Sequence, residues 1–99
     1  MPFRHVVVSA RDGMHARPVA ELARLALDHA QRAQGSLDVE LAKPITLTTA
    51  TGVTVDAGSV LAVMDLALSA GDEVRLETPA SASADQVLDE LVAVLDPRA

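Results

Sequence analysis

The stretch FRHVVVSARDGMHARPVAELARLALDHA, residues 3–30, decides the fold, because its hydrophobic period changes across a single turn. Residues 3–10 are rich in valine, and Val6 and Val8 fall at the two-residue spacing of a strand that buries one face. Arg11, Asp12 and Gly13 follow as a turn signal, since Asp-Gly tolerates positive φ, and Met14 and His15 lie on the far side of the reversal. From Ala16 onward Val19, Leu22, Ala23, Ala26 and Ala30 recur at three- and four-residue intervals, which is one face of an amphipathic helix. Pro18 is tolerated in the first turn, and Gly35 with Ser36 predicts an end near Gln34.

Beyond this unit the signals alternate. Residues 37–43 suit a short extra strand or an extension of the next one, interrupted by Pro44. Residues 45–49 and 53–57 are β-prone, with Thr51-Gly52 as a hairpin turn between them. Gly58 and Ser59 open a second, short and apolar helix over residues 60–68, closed by Ala70-Gly71. Val74, Leu76 and Thr78 alternate with Arg75 and Glu77 as a fourth strand. Ser83 and Gln86 predict a capping box, after which Val87, Leu88, Leu91, Val92 and Leu95 share one face of a last helix that Pro97 stops. The order is strand, helix, strand, strand, helix, strand, helix. Its simplest realisation is an α+β domain, a four-stranded sheet with all three helices on one face.

A chain of 99 residues suits one domain. Phe3 is its single aromatic residue and the net charge is −6, so neither base stacking nor phosphate-backbone binding is supported, and nucleic acid is excluded as a partner. The chain has no cysteine, which removes disulfides and thiolate chemistry. Met1 leads directly into a strand-like run, and no apolar stretch is long enough to span a bilayer. The expectation is a cytoplasmic protein without membrane insertion.

The position of His15, after a tight turn and before a helix, is the informative chemical feature. A helix N-terminus offers unpaired amides and the positive end of the dipole, both of which stabilise a phosphate held nearby. Arg17 adds a permanently charged planar donor, and a neutral imidazole can attack a phosphoryl group and later release it. A solitary histidine at such a junction is also compatible with an ordinary cap or surface role, and position alone leaves both readings open. The spacings contain no Ser-His-Asp or paired-carboxylate arrangement, and no cofactor loop. His5, His15 and His29 are not spaced as metal ligands on one element, so no metal is expected. His5 is placed on a strand near a sheet edge, and His29 on the solvated side of helix one. Ser59 at a helix start either caps it or bears phosphate there. In the second helix Val60, Leu61, Val63, Met64, Leu66, Ala67 and Leu68 leave apolar residues on more than one face. Either part of that helix is an exposed docking surface, or the whole helix sinks deep into the fold.

At these residues a resemblance enters. Gly13-Met14-His15-Ala16-Arg17-Pro18 resembles the active-site signature of HPr, the histidine-containing phosphocarrier of the phosphoenolpyruvate-dependent sugar phosphotransferase system. Residues 59–66, SVLAVMDL, resemble the family's second motif, and the element order matches its open-faced βαββαβα sandwich with an antiparallel sheet. The resemblance implies that His15 is phosphorylated on Nδ1 by Enzyme I, with Arg17 and helix-one amides, that of Ala16 among them, holding the phosphoryl group. It further implies transfer to a sugar-specific A component, partner contact through Val60, Leu61 and Met64, and a possible regulatory phosphorylation of Ser59 by a serine kinase. No cofactor is implied; the protein is expected to be a stoichiometric phosphoryl carrier rather than an enzyme, and a monomer.

The chain departs from the family pattern in three places. The segment at about 28–44 is enlarged; residues 45–49 align with the family's second strand, although residues 37–42 offer an alternative that would move the extra residues into the hairpin. Gly58 stands where a lysine is common and Asp65 where a small polar residue is usual, and Ala62 replaces a frequent glycine. A regulatory module acting by protein contact is the competing function. A carrier in a nitrogen-linked or dihydroxyacetone-kinase relay would use a similar protein.

Overall fold

The computed structural model describes residues 2–9, 16–34, 44–80 and 82–97. The elements are β1 (Phe3–Val7), α1 (Ala16–Gln34), β2 (Thr46–Thr49), β3 (Thr54–Asp56), α2 (Val60–Asp65), β4 (Glu73–Glu77) and α3 (Ala84–Leu95). The turn at residues 11–13, His15, the helix stop at Gly35-Ser36 and the ambiguous run at residues 37–43 lie outside the described residues.

All strand pairs are antiparallel and the sheet order is β1-β4-β2-β3. The register explains how one face becomes the core. Val6 pairs with Val74, Leu47 with both Leu76 and Val55, so inward residues line up across the sheet. His5 lies opposite Arg75, which in turn lies opposite Thr48, and this polar row belongs to the open face. Phe3 is on that face too, with the Arg75 guanidinium 4.3 Å above its ring and the His5 ring edge-on at 5.5 Å. The expected placement of His5 near a sheet edge holds, since β1 is an outer strand.

The three helices cover the other face, with α1 packed against both α2 and α3. Val19, Leu22, Ala23 and Ala26 of α1 and Val87, Leu88, Leu91 and Leu95 of α3 are buried, as the helical periodicity predicts. Val92 is only half-buried, at the margin of the α3 stripe. The end of α3 is tied to β1: the Ser9 amide donates to the Leu95 carbonyl at 2.9 Å, and its hydroxyl bonds the Asp96 carboxylate. The β2–β3 connection is the expected hairpin, with Gly52 at φ 91 and the Thr49 amide bonded to the Val53 carbonyl at 2.9 Å. Thr46–Thr49 is therefore the strand that pairs with β3, and the hairpin holds no extra residues.

Three expectations need correction. Helix two stops at Asp65 instead of Leu68. The Leu66 and Ala67 amides reach back three residues to Val63 and Met64 at 3.1 and 3.0 Å, and Ala67 takes φ 51, so the chain leaves the helix in the left-handed conformation and turns Leu68 into the core. Gly71, at φ 97, serves the turn into β4, where its amide donates to the Val8 carbonyl at 2.7 Å. The capping box also fails: Ser83 is the N-cap residue, but with ψ near 5 its side chain makes no cap bond, and Gln86 donates to Glu90 at 3.3 Å. Finally, His29 is buried, not solvated, because α3 packs along that side of α1.

Candidate functional site

Two helix starts and one helix face carry the candidate residues. Helix α1 begins at Ala16, the residue directly after His15, and Arg17 is exposed in its first turn. No acidic residue stands in that turn, so nothing there opposes the positive end of the helix dipole. Two turns further on, Arg24 bridges Glu21 at 2.5 Å and Asp28 at 3.5 Å along the exposed side. Its hydrogen bond holds the Glu21 carboxyl below the usual carboxylate range. The Arg24 guanidinium is raised in turn, chiefly by its hydrogen bond to Glu21.

Ser59 occupies the N-cap position of α2 with extended backbone, φ −100 and ψ 106, and its Oγ accepts the Ala62 amide at 3.3 Å. The capping geometry is thus made. Asp56 stands just before it, with Oδ1 accepting the Gly58 amide at 2.7 Å and its carbonyl accepting the Ser59 amide at 3.0 Å.

The burial of α2 separates the two readings of its apolar excess. Val63 is its one buried residue, while Leu61 is 78% exposed and Val60 and Met64 are exposed beside it. The helix does not sink into the core; Val60, Leu61 and Met64 form an apolar surface, whereas Leu66 and Leu68 turn inward after it. Sequence reasoning missed Leu27. This residue is exposed on α1, and its Cδ2 would lie 3.1 Å from a Cβ placed on Gly58, so it extends the apolar surface from α2 onto α1. The available signal was that Leu27 lies off the buried stripe of α1.

Among the described residues no group of three or more His, Asp or Glu could hold a metal ion, and no helix is long and apolar enough to cross a membrane.

The family profile described as the PTS HPr component phosphorylation site matches residues 3–96. The chain belongs to the HPr family. Solved structures agree with it in fold. The phosphocarrier protein HPr from Bacillus anthracis is 26% identical over 96% of each chain, with a TM-score of 0.70. HPr-C-His from Thermoanaerobacter tengcongensis is 21% identical over 97% of this chain and 92% of its own, with a TM-score of 0.72. A histidine-containing phosphocarrier protein described for Mycoplasma is 20% identical over 94% and 90%, with a TM-score of 0.70. No curated protein matches the sequence. HPr is a phosphocarrier family of the phosphotransferase system, and membership carries that role and an association with components of the system.

Proposed function

We propose that this HPr-family chain is a phosphocarrier that accepts a phosphoryl group on His15 from Enzyme I and passes it to an A-type component. The observation that carries the reading is the start of α1 at Ala16, immediately after His15, within a chain matched over residues 3–96 by the family's phosphorylation-site profile. Neutral imidazole attacks phosphorus through Nδ1 while the bond from phosphorus to the donor breaks, so the donor regains its electron pair and His15 gains the phosphoryl group. The α1 amides, including that of Ala16, and the Arg17 guanidinium hold the phosphoryl oxygens. Transfer onward reverses the first step, with an acceptor on the A component as nucleophile. The protein is consumed and regenerated in each cycle, which makes it a stoichiometric carrier rather than an enzyme.

Val60, Leu61 and Met64 provide the contact surface for both partners, and their exposure supports this. Ser59 acts first as a cap; phosphorylation there would set a dianion beside Asp56, and the two negative charges repel. We place the carrier in the cytoplasm as a monomer, built as a single HPr-like domain with an enlarged segment at about 28–44.

The test is intact mass after incubation with phosphoenolpyruvate and Enzyme I, with His15→Ala and Met64→Asp alongside. The expected outcome is an acid-labile gain of one phosphoryl group, absent in His15→Ala and slowed in Met64→Asp. A labelled His15→Ala protein would sink the reading. The exposed α2 surface favours one alternative, a regulatory module acting by contact; partner binding indifferent to His15→Ala and lost in Met64→Asp, without any mass gain, would select it.

A further inference from the structure

Because α2 ends at Asp65, it leaves the inner face of the β2–β3 hairpin incompletely covered. The result is a groove of about 630 Å³ between the hairpin and segment 65–73. Val53, Val55 and Leu66 supply apolar surface, with Val53 48% exposed and the other two half-buried. On the wall formed by segment 65–73 stand three carboxylates, Asp65, Asp72 and Glu73. Asp72 Oδ2 accepts the Ser69 amide at 2.8 Å, which orients the group without neutralising it. None of the three forms an ion pair among the described residues.

Uncompensated carboxylates beside wet apolar surface are complementary to cationic groups carried on an apolar frame, and a net charge of −6 adds long-range attraction. We propose that this groove docks an extended segment of a partner protein in which arginine or lysine alternates with apolar side chains. An extended chain sends successive side chains to opposite sides, so one set reaches the carboxylate wall while the other covers Val53 and Val55. A small amine would leave those valines in water. Among the described residues a second copy of this chain offers no extended segment of this kind, because the strand residues Arg4 and Arg75 are already held by Asp85 and Glu77, and Arg17 and Arg24 lie on a helix. The groove takes Ala62 and Asp65 from α2 but not Leu61 or Met64, and the proposal does not depend on phosphoryl transfer at His15.

The test is a titration of the 15N-labelled full chain, followed by amide shifts, with an acetylated hexapeptide of alternating arginine and leucine. Two control peptides replace its arginines by glutamate or its leucines by serine. The expected result is saturable shifts confined to residues 49–55 and 62–73 with Kd at or below about 1 mM, and binding at least about fivefold weaker for either control. Asp65→Asn/Asp72→Asn/Glu73→Gln weakens binding by a similar factor, and so does the exposed-site variant Val53→Ser, whose amide spectrum confirms its fold. No binding up to about 5 mM overturns the proposal. So do shifts scattered over the acidic surface, equal binding of the arginine–serine peptide, or concentration-dependent shifts of the same residues without peptide, which would assign the groove to a second copy.

Discussion

Thr78 shows at the scale of one residue that a local pattern can place a side chain correctly and leave its polar group unmatched. The alternation of β4 predicts that it faces inward, and it is fully buried, yet its hydroxyl has no hydrogen-bond partner among the described atoms. A buried hydroxyl without a partner keeps its desolvation cost, so Thr78→Val is expected to raise stability by about 1 kcal/mol, read as a higher urea midpoint with an unchanged slope. A lower midpoint would mean that the hydroxyl is satisfied. Arg17 was legible because its position after His15 says that it opens a helix, and an exposed first-turn arginine is what the structure contains. His29 was not legible. Its place on α1 is adjacent to the buried stripe, and only the arrival of α3 decides whether such a margin position is wet or covered.

At the scale of the element, α1 and α2 show opposite degrees of autonomy. Helix α1 carries its own surface electrostatics, in which Arg24 holds Glu21 below the usual carboxylate value. Arg24→Gln is expected to return Glu21 upward toward 4.5, measured by carboxyl chemical shift against pH. A group depressed in the folded state stabilises it above the unfolded value and loses that contribution as pH falls through the depressed one, so the variant should lose part of its advantage above about pH 4.5. Both side chains are exposed, which keeps the effect on stability small. An unchanged Glu21 titration would remove this pairing from the account. For α2, composition alone predicted three more residues of helix than form. A run of Val, Leu, Ala and Met does not state its own end, and the stop comes from the left-handed turn at Ala67 that delivers Leu68 to the core. That early stop opens the groove beside Asp65.

For the whole molecule, Leu76 sits on β4 between the two strands that flank it, opposite Arg4 on one side and Leu47 on the other, and is fully buried in the core. Leu76→Ala should cost about 2–5 kcal/mol, the range for a core leucine whose cavity cannot collapse between two neighbouring strands. Chemical denaturation with two independent probes tests this; coincident transitions shifted to lower denaturant are expected. A cost below about 1 kcal/mol would show that the centre of the sheet repacks freely.

By itself the sequence determined the type and order of the described elements, the inward faces of α1, β4 and α3, and the adjacency of a histidine to a helix start. These follow from local periodicity, from turn residues such as Thr51-Gly52, and from the chemistry of single side chains, none of which needs a distant partner. Tertiary structure decided that β4 lies between β1 and β2, that α2 shows Leu61 and Met64 to solvent while burying Val63, that Leu27 joins that surface, and that His29 is covered. Each of these depends on which face of one element meets another far along the chain, and hydrophobic spacing within an element carries no record of the partner that will cover it.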